Sequence, residues 1–419
     1  MIEIIERIEG EAKLHFSLDH DVIDFVDIEF FSSRGIETIL QGKHAFDALV
    51  INPRVCGICN HAHLIATVQA LEACYENIEI SPKAKAIREL TLNFELIQNH
   101  FKWFYLTIYP LLGKNQEIHK ALKPSQLMAK AIATLAGQYP HNSYAIVGGV
   151  TSKVLSGDLI KVENVIDEVI AFYQEHLVDF DMEYFLTCNN IKELMSKEGD
   201  LADVLRLIEH NGWEKIGQSF DRFLVAGQNS YFQSGRSIKT RRQNSLKLDY
   251  IEEQLNLQSL AKNVTYRGKY YEVGPLSRAM IKKTPLIKDA HRHFQDSLFC
   301  RILARVCEIP QLLFHSKKLL QELDLQEPSY IKPSVHIDEV SASGIGIVEA
   351  ARGSLIHHVH IQKGMIAQYD IITPTQWNLS NGTRQEPAIA QKAMLGLRDK
   401  TLAQLVFKSF DVCSVCTTH

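Results

Sequence analysis

No uninterrupted apolar run in the 419-residue sequence approaches the roughly 20 residues of a membrane-spanning helix; the nearest, Trp103 to Gly113, is too short. The chain is therefore expected to have no transmembrane segment of its own. The first residues also lack the pattern of a signal peptide, because Met1-Ile-Glu-Ile-Ile-Glu-Arg7 mixes three charges among its apolar residues instead of running basic, apolar, small. The expected location is cytoplasmic, with export open only through a partner's signal. Neither sign of charge dominates: Lys+Arg 45 against Asp+Glu 49 leaves a net charge of -4, which gives no electrostatic reason for a nucleic-acid or anionic-membrane partner. Eight cysteines are too few and too unevenly placed for a disulfide scaffold, and read as thiols in a reducing compartment. Repeats, low-complexity tracts and linker-like Pro/Gly/Ser stretches are absent too, so residues 1–419 are expected to form one intertwined domain.

What is present is an ordinary globular composition, 46% hydrophobic and 22% charged, which excludes disorder and fibres. Residues 1–42 have strand character: Val26, Ile28 and Phe30 alternate with Asp27 and Glu29. From Ser81 and Pro82, an N-cap followed by proline at the first helical position, Ile87, Leu90, Phe94, Ile97, Phe101 and Phe104 recur at spacings of three and four. That pattern predicts a long core helix ending near Pro110. Further helices are expected over about 62–75, 125–137, 162–178, 200–210, 290–308 and 311–324. Between about 330 and 382 the texture turns β-branched and Gly-rich, with Ser354 to Ile361 and Met365 to Ile372 flanking Gln362-Lys363-Gly364 like a hairpin. The fold class is thus α+β and predominantly helical: a long-helix bundle core, a small N-terminal β meander and a β-rich segment near 330–382.

Two cysteine pairs carry the chemistry. Cys56 and Cys59 lie in Arg54-Val-Cys-Gly-Ile-Cys-Asn-His-Ala-His63, just before a helical pattern; Cys413 and Cys416 lie in Asp411-Val-Cys-Ser-Val-Cys-Thr-Thr-His419. A C-x-x-C turn brings two sulfurs to one side of the backbone, where both thiolates reach one soft metal, so two pairs make a four-thiolate site. Structural zinc is the bland alternative, yet its pairs usually sit about 15–20 residues apart and staple a short loop. Here the pairs are separated by some 350 residues. A dithiol redox motif leaves the second pair unexplained.

These motifs, R-x-C-G-x-C-x-x-x-H and D-x-C-x-x-C-x-x-H, resemble the two signatures of the large subunit of nickel-iron hydrogenases. Arg7-Ile-Glu-Gly10, Ser33-Arg-Gly-Ile-Glu37 with Ile39-Leu-Gln-Gly42, Gly148-Gly-Val-Thr151, Glu272-Val-Gly-Pro-Leu276 and Glu349-Ala-Ala-Arg-Gly353 match further family segments in order. The resemblance implies that Cys56 and Cys413 are terminal nickel ligands, while Cys59 and Cys416 bridge nickel to an iron that holds carbon monoxide and cyanide. It implies that Arg352 stands over the metal pair and that Glu9 passes protons outward from Cys413. Glu37 and His419 would serve the family's second metal, usually magnesium, and His63 would support a bridging sulfur. Four departures touch the surroundings of the site: Glu11, Val412, Ala351 and Asn99 stand where the family usually has His, Pro, Pro and Asp.

Dihydrogen is apolar and a very weak acid, so its heterolysis needs a metal that accepts hydride beside a base that accepts the proton. The remaining cysteines, Cys74, Cys188, Cys300 and Cys307, have no cluster-like spacing. Iron-sulfur clusters are therefore expected in a partner, the small subunit of a heterodimer or a higher oligomer. The implied activity is reversible cleavage of dihydrogen to protons and electrons. A dihydrogen sensor with slow turnover would keep the same ligands; a scaffold related to quinone-reducing respiratory complexes would lack the four cysteines.

Overall fold

A computed structural model of the chain describes residues 2–5, 12–31, 33–239, 241–243, 246–256 and 259–413. About half of it is helix, with several small sheets. The centre is built on a helix α2 that follows α1 (Asn60–Glu72) and spans Pro82–Trp103. Ser81 caps α2 by accepting the Ala84 N–H at 3.1 Å, and Pro82 occupies the first turn, where its missing N–H costs nothing. Ile87, Leu90, Phe94, Ile97 and Phe101 are all fully buried, as their spacing predicts, and each contributes about 1.5–3 kcal/mol of apolar burial. The α-helical part ends at Trp103, and the helical run continues through a π segment at Phe104–Ile108 to Leu111, close to the expected end near Pro110.

Packed on α2 are α3 (Leu122–Ala136) and, beyond α4 (Ser156–Phe172), a second long helix α5 (Leu298–Gln321). The sequence predicts a break at Pro310, yet α5 runs through it. A proline leaves the carbonyl four residues earlier without its helical donor. Here that carbonyl, on Val306, accepts the Tyr173 hydroxyl at 3.2 Å, which removes the reason to break. The helix instead begins at Ser297, which caps Cys300, and a separate helix covers Pro285–Phe294.

Three strands, β1 (Ile2–Ile5), β2 (Ala12–Asp19) and β3 (Val22–Phe30), form the expected antiparallel meander. Residues 36–40, expected as strand, are a short helix. The β-rich segment contains β4 (Ala342–Ala350), β5 (Gly353–Gln362) and β6 (Met365–Ile372) in one antiparallel sheet. Lys363 and Gly364 turn the β5–β6 hairpin with φ of 47° and 75°, the double positive φ of a type I′ turn. Short strands lie between Arg222 and Tyr266, in a stretch for which the sequence suggests no element; at three or four residues each they are below the length at which alternation shows. Helix α1 lies directly on β4: a Cβ at Gly346 would sit 2.0 Å from the Ala66 carbonyl oxygen, so only glycine permits this approach. Among the described residues no helix is long and apolar enough to cross a membrane.

Candidate metal centre

Cys56 and Cys59 occupy the turn that leads into α1, with Cys59 at the helix N-cap. The N–H groups of Ile58 and Cys59 point at the Cys56 sulfur at 3.4 and 3.3 Å. Peptide N–H groups and the positive end of α1 both favour a thiolate there over a thiol. Cys413 arrives from the other end of the sequence, and its sulfur lies 3.6 Å from that of Cys56. The sulfurs of Cys56, Cys59 and Cys413 are all within 4.8 Å of one another and all buried. Among the described residues no other group of three His, Cys, Asp or Glu side chains converges in this way. Three buried soft donors aimed at one point fit a soft transition metal and do not fit a hard one.

The approach of Cys413 is set by charge. Asp411, at φ 59°, is gripped from two sides: Arg305 Nη1 meets its Oδ2 at 2.6 Å, and Arg352 meets its Oδ1 at 3.2 Å with Nη2. The Arg352 Nε also donates to the Asp411 carbonyl at 3.0 Å. Arg352 is 5% exposed and lines a small cavity together with Cys59, His63, Ala350, Leu355, Pro374 and Thr375. It projects from the tight turn between β4 and β5. Gly353 makes that turn possible, because at φ 130° a Cβ there would fall 2.6 Å from Val273 and 2.7 Å from the Gly274 nitrogen. The glycines of the two motifs thus pack backbone against backbone.

Behind the turn lies a buried charge network. Arg278 holds Glu308 at 2.7 and 2.6 Å, Glu349 at 3.1 Å, and the carbonyls of Ala350 and Ala351 at 2.9 and 3.3 Å. Arg301 holds both oxygens of Glu272 at 2.9 Å. Four guanidiniums (278, 301, 305, 352) thus face four carboxylates (272, 308, 349, 411), the neutral balance that buried charge requires. Burial would push Glu308 up, but the Arg278 charge and hydrogen bonds, with help from His100 at 2.8 Å, hold it down at about 2. Arg301, Arg305 and Glu308 follow one another at helical spacing on α5.

Glu95 of α2 is a further buried carboxylate. It accepts the N–H groups of His61 and Ala62 at 2.8 and 3.0 Å and so caps the helix that carries the cysteines. Burial pushes it up to about 8, against the pull of those two N–H groups and of Arg352. Asn99, one turn along, donates to the Ile58 and Glu95 carbonyls at 3.1 and 2.8 Å, tying α2 to the cysteine turn without a charge.

Of the residues singled out from sequence, Cys56, Cys59, Cys413 and Arg352 come together. Glu37 lies apart from them, with Lys262 3.1 and 3.2 Å from its two oxygens and the Ile371 N–H at 2.8 Å. Glu253 shares the same ammonium at 3.2 Å, so two carboxylates face one lysine at this spot. Glu9, Cys416 and His419 lie outside the described residues. Sequence reasoning missed Glu95, Arg278, Arg305 and Glu308. The available signal was a charged residue on the apolar face of a helical pattern, which demands a buried partner.

A family model described as Nickel-dependent hydrogenase matches residues 34–108 and 225–419, segments that include both cysteine pairs. Sulfhydrogenase 1 subunit alpha of Pyrococcus furiosus is 26% identical over 443 residues, covering 100% of this chain and 97% of the relative. Sulfhydrogenase 2 subunit alpha of the same organism is 23% identical over 448 residues, covering 100% and 99%. The Ni-Fe-Se hydrogenase from D. vulgaris Hildenborough in its as-isolated oxidized state superposes with a TM-score of 0.85 at 20% identity, covering 100% of both chains, and so has the same fold. With the family match extending across both cysteine motifs, the chain belongs to the nickel-dependent hydrogenase family, oxidoreductases acting on dihydrogen, as a large catalytic subunit.

Proposed function

We propose that this chain, working as one intertwined unit, carries out the reversible cleavage of dihydrogen to protons and electrons at a nickel–iron centre held by Cys56, Cys59, Cys413 and Cys416. The observation that carries the reading is the convergence of three buried thiols, with 3.6 Å between the sulfurs of Cys56 and Cys413, from segments 357 positions apart. Cys56 and Cys413 would hold the nickel, and Cys59 and Cys416 would hold it together with an iron carrying carbon monoxide and cyanide. When bound, the metal pair supplies the electrophilic position at which dihydrogen is polarised.

The chain's own residues do the rest. Arg352, locked by Asp411, keeps a fixed positive charge beside the cysteine cavity, and its planar fork cannot swing away without losing two contacts. Glu9 is assigned to take the proton from Cys413 and pass it outward. Glu37 and His419 are assigned to a magnesium ion. Electrons leave to an iron-sulfur small subunit, because Cys74, Cys188, Cys300 and Cys307 are individually buried and do not gather into a cluster site. Thiols of this kind suit a reducing, cytoplasmic setting.

Elemental analysis of the native complex, with an infrared scan for metal-bound carbonyl and cyanide, tests the reading. Nickel equal to the chain content and both sets of bands are expected. Stoichiometric zinc without nickel, in protein from its own host, would refute it.

A further inference from the structure

A cavity of about 510 Å³ opens between α1, α2, β4 and the loop 228–232, and it shares no lining residue with the small cavity beside Cys59. Its helical walls follow from spacing. Ile65, Gln69 and Glu72 share one face of α1, and Lys85, Glu89 and Leu92 share one face of α2. The volume falls within the roughly 300–1,000 Å³ usual for small-molecule sites.

The chemistry of the walls selects the occupant. Ile65, Leu92, Phe232, Leu319, Ile347 and Val348 make most of the surface apolar. The buried charges beside them are already paired. Arg88 Nη1 and Nη2 donate to the two oxygens of Glu72 at 3.0 and 2.7 Å, and Nη2 also reaches the carbonyls of Ile146 and Gly149 at 2.7 and 2.8 Å. Glu349 accepts from Arg278 at 3.1 Å, from the Ser354 hydroxyl at 2.6 Å and from the Gly227 N–H at 3.0 Å. An ionic ligand would find no counter-charge to offset the loss of its hydration. One donor remains: Arg88 Nε is buried and has no acceptor among the described residues. A buried N–H without a partner is destabilising, and in the residue that lines a cavity it calls for an oxygen from outside the chain.

The mouth is already formed. Glu89 accepts the Ser230 N–H at 3.2 Å as well as its hydroxyl, and His315 Nε2 of α5 lies 2.8 Å from that hydroxyl and 3.0 Å from Glu89. The Arg278 guanidinium lies 4.9 Å from the centre of the Phe232 ring and so fixes the other end of the loop. Walls held in place before binding reduce the ordering cost of taking up a ligand.

We propose that this cavity is a binding site for a small neutral molecule with an apolar body and one carbonyl-type oxygen, which accepts the Arg88 Nε–H. The site is separate from the metal centre and is independent of which metal the cysteines hold.

The test is equilibrium dialysis of three probes of similar shape, acetonaphthone, ethylnaphthalene and naphthoate, against the intact complex with its partner subunit. Acetonaphthone should bind once per chain, ethylnaphthalene roughly fivefold to tenfold more weakly because it lacks the acceptor, and naphthoate more weakly still. Ala86 lines the cavity from a partly exposed position on α2, so Ala86→Trp fills the space without entering the core and should abolish binding of both neutral probes. Arg88→Lys keeps a charge for Glu72 but has no Nε–H, and should bring acetonaphthone down to the affinity of ethylnaphthalene. Absence of binding, acetonaphthone no tighter than ethylnaphthalene, naphthoate tightest of the three, or undiminished binding in Ala86→Trp would each overturn the assignment, even where Arg88→Lys fails to fold. A folded Arg88→Lys that binds acetonaphthone as the parent does would overturn the role of the Nε–H.

Discussion

Glu308→Gln isolates one link of the buried network in a measurable way. The substitution keeps shape and leaves an amide that still accepts from Arg278, but it removes the negative charge that Arg278 shares with Glu349. Holding Glu308 at about 2 instead of the ordinary 4.5 corresponds to about 3 kcal/mol, at about 1.4 kcal/mol per pH unit. Breaking a buried pair by removing one partner typically costs about 3–5 kcal/mol, so the two routes agree. Because the carboxylate is depressed, its contribution is complete above pH 4.5 and is lost as pH falls toward 2. Urea unfolding of the metal-free parent and variant should therefore differ by about 3–5 kcal/mol at pH 7. By pH 3 the gap should have narrowed by roughly 2 kcal/mol, since the parent binds a proton that the variant cannot. A gap under about 1 kcal/mol at pH 7, or one constant between pH 5 and pH 3, would mean that Glu308 is not the buried counter-charge described here.

Other perturbations probe the site and its surroundings. Cys59→Ser should lose both nickel and iron on elemental analysis, because a bridging thiolate replaced by a harder oxygen weakens two bonds at once. Glu9→Gln should leave metal content and infrared bands unchanged while turnover with a dye falls by roughly 10² to 10⁴; turnover within about twofold of the parent would remove Glu9 from the proton path. The isolated chain, even when loaded, should reduce no dye with dihydrogen until its partner is added, as a turnover assay would show. Gly353→Ala should lower thermal stability by about 1–3 kcal/mol, because its Cβ would meet Val273 at 2.6 Å in a left-handed backbone.

The sequence made the local features legible and hid the distant ones. Cys56 and Cys59 stand out because three positions and one turn decide where their sulfurs go. The core face of α2 stands out because five buried residues repeat its pitch. Pro310 misled because the donor that satisfies the Val306 carbonyl, Tyr173, is 133 positions away and leaves no local trace. The partners of Arg278 were hidden for the same reason: Glu308 and Glu349 lie 30 and 71 positions off, and nothing in either segment announces the pairing. Asn99 read as a lost family carboxylate. Its amide instead bridges α2 to the cysteine turn, while the buried carboxylate of that helix belongs to Glu95.

The 357 positions between Cys56 and Cys413 also set a clock. At about 5–20 residues per second of synthesis, the first cysteine pair waits about 20–70 s before the second exists. Throughout that interval Cys56 and Cys59 form a ready two-sulfur chelate at the start of a helix. Thiolates bind copper and zinc more tightly than they bind iron. Affinity alone would therefore fill the half-built site with the wrong ion. The grip of Arg305 and Arg352 on Asp411 is what sets Cys413 against the first pair.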